Sequence, residues 1–347
     1  MKKLLRKISS LSVILVLLLF LGVTFSATSP LINLVRGTQP IYHYYTTTPV
    51  TIPQSYEEQD TEFRAVWVAT VYNLNMPLHT SEAQYKAAFV DLIDRVKAKH
   101  MNAILFQVRP NNDAFYDSDY APWSRWLAGS EGNDPGWDVM QYMIDYAHSQ
   151  GIQFHAWMNP YRVQNSSSSK EAMLASLHSE NFAKQNPDLV IAGNLSNSAY
   201  PYILNPGEPQ VKTYIRNVVK ELIGMYDVDG VHFDDYFYPY SGLSSDLATY
   251  DTYKLPGQAI ADWRRENVND VIQGVMEDVT DHNTLNGKDV RFGVSPFGIW
   301  QSQGEGSNTF TGTSESYHDQ YADSKKWVEE GWLHYICPQV YWSFQHS

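Results

Sequence analysis

Short apolar segments alternate along this chain with longer amphipathic ones, and this alternation constrains the fold more than any other feature. Six segments have the composition of strands, and they cover residues 63–71, 102–108, 152–159, 230–234, 290–295 and 334–342. Between them, apolar residues recur at the three- and four-residue spacing of helices. Such an alternation predicts an α/β fold in which helices wrap a parallel sheet.

The ends of the predicted strands distinguish two α/β architectures. No Gly-x-Gly-x-x-Gly phosphate loop follows the first strand, as it would in a dinucleotide-binding open sheet. Polar residues end several different strands instead, which favours a (β/α)8 TIM barrel over residues 61–347. A closed barrel needs eight strands, and the pattern provides six. We therefore expect either that the barrel lacks its last two βα units in this chain or that two units escape the pattern.

The first 60 residues are expected to lie outside the barrel. Basic residues precede a mostly apolar run from Leu11 to Phe25, and small residues follow it, which predicts a secretory signal peptide over residues 1–26. The run is shorter than the ~20 residues of a membrane-spanning helix. Residues 27–60 have no clear periodicity and are expected to form a flexible linker. These features predict a secreted or cell-surface protein, with an uncleaved membrane anchor as the alternative.

Composition excludes several kinds of function. The net charge of −13 argues against nucleic acid as a partner. A single cysteine and the absence of paired histidine motifs argue against a zinc site, and no Gly-x-Ser-x-Gly nucleophile motif is present. We expect no metal and no cofactor. Aromatic residues make up 14% of the chain, which suits a surface that stacks on a ligand.

The fourth predicted strand ends in the most unusual segment, Asp229–Tyr240. Side chains alternate along a strand, so His232 and Asp234 share one face and Asp235 takes the other. Buried parallel strands are normally apolar throughout, and barrels place their chemistry at the carboxyl ends of strands. The segment therefore predicts catalytic carboxylates at Asp234 and Asp235. The alternative is that both carboxylates only cap the aromatic loop that follows.

Other predicted strands also place polar residues toward the same end. The shared faces combine Gln107 with Arg109, His155 with Trp157 and Asn159, Gly293 with Ser295, and Gln339 with Tyr341. Flat aromatic rings suit the apolar faces of sugars, and the candidates are Tyr72, Trp157, Tyr161, Tyr236, Tyr238, Trp300 and Trp342. Carboxylates among aromatic residues are the arrangement that glycoside hydrolysis requires, because one acid protonates the leaving oxygen while a second carboxylate attacks or activates water.

Several phrases of the sequence resemble the bacterial glycosyl hydrolase-like 10 family, formerly a domain of unknown function. They include QVRPNNDAFY, FHAWMNPYR, DGVHFDDYFYPY and YICPQVYW, and the similarity runs from about Phe63 to the end. The resemblance implies an exported (β/α)8 barrel that acts on glycans, with bacterial cell-wall strands as the leading substrate. The family is distantly similar to α-amylase-type barrels, whose fourth strand ends Gly-Phe-Arg-x-Asp with the aspartate as nucleophile. Residues 230–234 match that pattern with His232 in place of the arginine.

The resemblance leaves the second carboxylate open. α-Amylase-type barrels carry a glutamate at the end of the fifth strand, where this chain has Ser295 and no acid. Asp113, Asp235 and Glu305 are the candidates, and a position beyond the sixth strand is a further alternative.

The sequence thus predicts an exported glycoside hydrolase that cleaves a bacterial cell-wall or related polysaccharide with two carboxylates. Asp234 is the principal catalytic residue, and Asp235 or Asp113 is its partner. Thirteen residues are expected to bind sugar or orient the carboxylates: Tyr72, Gln107, Arg109, Trp157, Asn159, Tyr161, His232, Tyr236, Ser295, Trp300, Gln339, Tyr341 and Trp342. The alternative is a non-catalytic glycan-binding protein of the cell surface on the same scaffold.

Overall fold

The computed structural model describes residues 30–42, 46–55, 62–164, 167–193, 202–239, 243–302 and 314–341. The chain divides into two compact units, Met1–Asp60 and Thr61–Ser347. The predicted signal peptide lies outside the described residues. Within the described residues, no helix combines the length and the apolar character needed to cross a membrane.

The first unit contains short antiparallel strands. Its strands are Leu31–Asn33, Val35–Arg36, Gln39–Pro40 and Thr51–Pro53. The first pairs with the fourth and the second with the third. No residue of these strands is buried. The role of this segment as a linker stays a prediction.

The second unit is built on one parallel sheet of six strands. In chain order they are β1 (Ala65–Val68), β2 (Ala103–Arg109), β3 (Gln153–Met158), β4 (Gly230–Phe233), β5 (Arg291–Val294) and β6 (Tyr335–Ile336). Spatial order follows chain order, and every neighbouring pair is parallel. The α/β class and all six predicted strands are therefore confirmed.

The sheet is curled as in half of a barrel. The ring of Tyr335 on β6 reaches that of Phe63, just before β1, with 5.1 Å between the ring centroids. A flat sheet of six strands would hold these two residues far apart, because neighbouring strands are about 4.8 Å from each other. The curl therefore brings residues of non-neighbouring strands together on its inner face.

One helix crosses the outer face of the sheet between each pair of consecutive strands. These helices are α1 (Glu82–Ala98), α2 (Val139–Ser149), α3 (Pro209–Met225), α4 (Ile260–Asn286) and α5 (Ser324–Glu329). Shorter helices are Arg125–Ala128, Lys170–Ser176, Phe182–Gln185, Leu247–Tyr253 and Ser316–Asp319, and the 3-10 helices are Val71–Asn73 and Pro187–Leu189.

Local sequence explains where these helices begin and which side they bury. The side chain of Ser81 accepts a hydrogen bond from the backbone of Gln84 before α1, and Asp138 acts in the same way before α2. In α3 the buried residues recur every three or four positions, at Val211, Tyr214, Ile215, Val218, Val219, Leu222 and Ile223. Two short helices, Ser316–Asp319 and Ser324–Glu329, occupy the segment between β5 and β6.

A small antiparallel sheet interrupts the alternation between β3 and α3. Its strands are Arg162–Gln164, Tyr202–Leu204 and Val190–Ala192, with Tyr202–Leu204 in the middle. The first of these strands begins only four residues after β3 ends. The small sheet therefore starts beside the carboxyl end of the parallel sheet.

The inner and outer faces of the parallel sheet have different compositions. Outward residues such as Phe106 pack against the helices, with 6.0 Å between its ring centroid and that of Phe89 on α1. The inner face carries His155, His232 and Tyr335 instead. Glycines make room for two of them, because a Cβ atom on Gly230 would lie 2.2 Å from the His155 ring and one on Gly293 would lie 2.2 Å from the Tyr335 ring.

Candidate active site

Asp234 directly follows β4 at the carboxyl end of the sheet. Its Oδ1 accepts hydrogen bonds from the backbone N–H of Asp235 at 2.9 Å and from Nε2 of Gln339 at 3.2 Å. The same Nε2 donates to the backbone carbonyl of Ser295 at 2.8 Å. Because the Gln339 amide is fixed at two points, it holds the Asp234 carboxyl in one orientation. Residues that follow β4, β5 and β6 therefore meet at this carboxyl.

A cavity of about 260 Å³ opens beside Asp234. Seven residues predicted from strand alternation or aromatic content line it: Gln107, Trp157, Asp234, Tyr236, Ser295, Gln339 and Tyr341. Five further lining residues are Trp67, Ala69, Val71, Leu74 and Arg162. Four aromatic side chains therefore surround one carboxyl group, which is an arrangement that suits the apolar face and the linking oxygen of a sugar.

The environment of Asp234 favours its protonated form. Burial is the main reason why the pKa of this carboxyl lies well above its usual value, and the neighbouring charge of Asp235 raises it further. A hydrogen bond between the two carboxyl side chains acts in the same direction, whereas the positive charge of Arg162 opposes the shift. A carboxyl that keeps its proton to higher pH is able to donate it to a leaving group.

Asp235 lies between Asp234 and the segment before α5. Nε2 of Gln320 donates to the Asp235 carboxylate at 3.1 Å and to its backbone carbonyl at 2.6 Å. Asp235 is not among the described residues that line the cavity. Its position therefore suits a residue that adjusts the protonation of Asp234.

Two buried histidines and a half-buried tyrosine form a layer below the cavity. The Tyr335 hydroxyl lies 2.9 Å from Nδ1 of His155 and 3.2 Å from Nδ1 of His232. Nε2 of His232 lies 3.0 Å from Oγ of Ser295. Burial lowers the pKa of His155 to about 4 and, together with repulsion from His155, that of His232 to about 3. Both histidines are therefore neutral near pH 7, and His232 supports Ser295 rather than lining the cavity.

The prediction that Arg109 shares a face with Gln107 is wrong. The pairing of β2 with β3 shifts register between these two residues, so the alternation breaks there. Gln107 accepts hydrogen bonds from the backbone N–H groups of Thr70 and Val71 and lines the cavity. Arg109 instead donates to the Tyr214 hydroxyl of α3 at 3.0 Å, on the helix side of the sheet.

Asp113 is buried in a separate polar cluster. Its carboxylate accepts hydrogen bonds from the Ser124 hydroxyl at 2.7 Å and from the Asn111 backbone at 3.2 Å. Burial, reinforced by the charge of Glu131, raises the pKa of Asp113 to about 6. Because Asp113 does not line the cavity, the structure does not bring it together with Asp234 as a catalytic partner.

Four other predicted sugar-binding residues also lie elsewhere. Asn159 donates to the Pro110 carbonyl, and Trp300 donates to Asp323. Tyr161 is fully buried against Phe237, and the exposed Tyr72 packs against Trp126. Neither Trp342 nor Glu305 is within the described residues.

Arg162 is the charged lining residue that strand alternation missed. It begins the small antiparallel sheet and lies outside the parallel strands to which the alternation was applied. Its guanidinium carbon is 3.8 Å from the centroid of the Tyr236 ring. The phrase FHAWMNPYR ends on this residue, so the family resemblance contains a signal for it that strand alternation does not. Across the described residues, no group of three or more His, Cys, Asp or Glu side chains is placed to hold a metal ion.

Comparison with known proteins identifies the family of this chain. Residues 62–347 match the family described as Glycosyl hydrolase-like 10. The glycosyl hydrolase YngK of Bacillus subtilis is 39% identical over 295 residues, which cover 82% of this chain and 55% of that protein. The glycosyl hydrolase DigH of Escherichia coli K12 is 36% identical over 313 residues, covering 85% and 69% respectively. The chain therefore belongs to the glycosyl hydrolase-like 10 family.

These matches differ in extent. The chain spans about half of the length of YngK and about two thirds of that of DigH. Among solved structures, α-L-fucosidase isoenzyme 2 from Paenibacillus thiaminolyticus aligns with 69% of this chain and 33% of that chain, at 14% identity and a TM-score of 0.45.

Proposed function

We propose that this protein is an exported glycoside hydrolase that cleaves glycosidic bonds of a bacterial cell-wall or related polysaccharide. The observation that carries the proposal is the Asp234 carboxyl, which is buried, held by Gln339 and placed beside an aromatic cavity at the carboxyl end of β4. Membership of the glycosyl hydrolase-like 10 family supports the reaction class.

In this proposal, Asp234 is the general acid. Glycoside hydrolysis requires proton transfer to the leaving oxygen, and a carboxyl with a raised pKa retains the proton that it must deliver. Trp157, Tyr236 and Tyr341 would contact the apolar faces of the sugar rings on either side of the bond. Gln339 would keep the acidic oxygen oriented toward the cavity.

For the second carboxylate of the mechanism, we assign Asp235 only a role in keeping Asp234 protonated. Asp235 supplies the like charge and the hydrogen bond that help to keep the proton on Asp234. Among the described residues that line the cavity, Asp234 is the only acid. The group that attacks the sugar or activates the water is therefore proposed from the family and its two-carboxylate chemistry, and not from the residues that line the cavity.

The same observation favours one alternative function. A cavity with aromatic walls and a single acid among its described lining residues would also suit a protein that binds a glycan without cleaving it. Export to the cell surface, which the basic and apolar N-terminal sequence supports, is common to both proposals.

Incubation of the full-length protein with purified peptidoglycan glycan strands separates the two functions. Cleavage should yield shorter glycans with new reducing ends, which mass analysis of the products would detect and locate. Retention of the protein on intact strands without any new ends would favour the glycan-binding function. If the protein neither cleaves these strands nor is retained on them, the choice of cell-wall glycan as its ligand is overturned.

A further inference from the structure

A second concave site lies on the helix side of the parallel sheet. It is formed by residues 117–121 of the loop after β2, by the short helix Phe182–Gln185 and by the first half of α3, and we call it the outer groove. Its volume is about 630 Å³, which lies within the roughly 300–1,000 Å³ range of ligand sites. None of its described lining residues also lines the cavity beside Asp234, so the two sites are separate.

The aromatic side chains of the outer groove are held in place by one another. Phe182 stacks on Tyr214 of α3, with 3.9 Å between the ring centroids and 14° between the planes. Tyr120 packs edge-on against the same tyrosine at 6.3 Å. The Tyr214 hydroxyl accepts a hydrogen bond from Arg109 at 3.0 Å and donates one to the side chain of Asn112. Because Tyr120 is 36% exposed, a ligand meets a fixed aromatic surface there.

The loop that carries Tyr120 is itself anchored to α3. The Glu221 carboxylate accepts hydrogen bonds from the Ser118 hydroxyl and from the backbone N–H of Asp119, both at 2.6 Å. The two walls of the outer groove are therefore joined before any ligand arrives. A site that is already ordered loses less conformational entropy on binding.

Polar side chains complete the lining of the outer groove. Within the part of the chain that the structure describes, the side chains of Asn217, Asp117 and Asp119 have no hydrogen-bond or ion-pair partner. Gln185 and Gln210 each donate one hydrogen bond within the protein, and their amide oxygens accept none from the same part of the chain. Amide and carboxylate oxygens accept hydrogen bonds from hydroxyl groups, and the Asn217 amide also donates them. A groove that combines such groups with fixed aromatic rings suits a saccharide.

We propose that the outer groove is a second saccharide-binding site, which holds a stretch of glycan that carries no carboxylates. The exclusion of acidic sugars follows from charge, because the charged residues among the described lining are all acids, Asp117, Asp119 and Glu180. This inference rests on the proposed function, which supplies glycans as the class of ligand. The competing interpretation is that the three acids attract a cationic peptide instead.

The position of the outer groove gives such a site a use. The loop that contains residues 117–121 follows β2, and α3 begins on the same side, so the groove lies toward the carboxyl end of the sheet, as the cavity beside Asp234 does. A long glycan held in the groove would keep its other segments close to that cavity. Binding of a second segment then becomes an intramolecular event with a raised effective concentration.

Hydrogen–deuterium exchange of the full-length protein locates the binding without relying on catalysis. Three probes are compared at physiological salt: chitohexaose, which is a neutral chain of N-acetylglucosamine, the same chain after carboxymethylation, and hexalysine. Exchange is read by mass spectrometry within seconds of mixing, in peptides that cover residues 117–121 and 182–185. Failure of the proposed hydrolysis would be seen separately, as an absence of products from glycan strands.

We expect chitohexaose to slow exchange in both segments, and the carboxymethylated chain and hexalysine to slow it less. In Tyr120→Ala, roughly threefold to tenfold more chitohexaose should be needed for the same protection, because an aromatic contact is lost. Asn217→Leu should act in the same direction through a lost hydrogen bond. Tyr253→Ala is the matched control, since Tyr253 is also an exposed tyrosine and lines neither site.

Three results would overturn the inference. The first is an absence of protection by chitohexaose in residues 117–121 and 182–185 of the wild-type protein, whatever happens near Asp234, and this result needs no variant. The second is stronger protection of these segments by hexalysine or by the carboxymethylated chain. The third is unchanged protection in both Tyr120→Ala and Asn217→Leu, once thermal unfolding has shown that each variant is folded.

Discussion

Asp234 and Asp113 are both buried aspartates after strands of the same sheet, yet their surroundings differ. Burial raises the pKa of each, and a neighbouring acid raises it further, Asp235 in one case and Glu131 in the other. Asp113 is enclosed by donors from its own loop, Ser124 and Asn111. Asp234 lines a cavity, and its side-chain donor, Gln339, follows the sixth strand of the sheet.

This difference shows that a raised pKa alone does not identify a catalytic carboxyl. A buried acid surrounded by its own loop stabilises local structure, whereas a buried acid that lines a cavity is also able to exchange a proton with a ligand. Geometry therefore distinguishes two carboxyl groups whose pKa values are both raised by burial. The comparison would fail if Asp113 proved to be required for cleavage or if Asp234 did not.

Replacement of Asp234 should have the largest effect on activity. Asp234→Asn keeps the shape of the side chain and removes the acidic proton. We expect cleavage of glycan strands to fall by at least ~10²-fold, the usual contribution of an acid–base group, with little change in melting temperature. Product analysis and thermal unfolding of the same preparation measure both quantities. Near-normal cleavage, or a loss explained entirely by unfolding, would contradict the role of Asp234.

Asp113→Asn should change the pH dependence of stability rather than cleavage. The folded pKa of about 6 lies above the reference value of 3.8, so folding favours the protonated acid. This contribution is fully present below pH 4 and is lost as pH rises toward and beyond 6, by at most about 3 kcal/mol. In wild type the free energy of unfolding should therefore decline over this range more steeply than in Asp113→Asn.

Denaturant titrations of both proteins at pH 4 and pH 8 provide that comparison. The wild-type minus variant difference isolates Asp113 from the other titrating groups. Identical pH dependence in the two proteins would show that Asp113 titrates in its normal range and that its enclosure has little energetic effect.

Asp235→Asn should have the smallest effect, and it should appear mainly as a shift with pH. The amide keeps a hydrogen-bonding group beside Asp234 and removes the negative charge that raises its pKa. The pKa of Asp234 should therefore fall, and the decline of kcat/KM on the alkaline side should begin at lower pH. A loss as large as that of Asp234→Asn would instead indicate that Asp235 reacts with the substrate directly.

Sequence patterns predicted the fold well because it depends on repeated, local signals. Each strand was marked by a short apolar run and each helix by its periodicity, so the order of elements in the sheet followed from the chain. Strand alternation also placed Gln107, Trp157, Ser295 and Gln339 on the face that lines the cavity.

The remaining details of the site depended on features that alternation does not contain. The register shift between Gln107 and Arg109 changes the face of Arg109, the last residue of that strand, and no residue type in the segment signals it. Arg162 belongs to an antiparallel strand whose position over the sheet is set by tertiary packing. Asp113 matched the chemistry of a catalytic residue, but its hydrogen-bond partners were visible only in three dimensions.

The two glycines of the inner face restrict how this sequence can diverge. Any side chain at Gly230 would overlap His155, and any at Gly293 would overlap Tyr335. Mutation at Gly293 therefore becomes acceptable only if the Tyr335 ring is lost as well, whereas at Gly230 the backbone carbonyl of Arg291, 2.9 Å from the added Cβ atom, would still be in the way after loss of His155. We expect each glycine and its opposing ring to be inherited together among descendants of this gene. The residues beneath the cavity would then change in pairs or not at all.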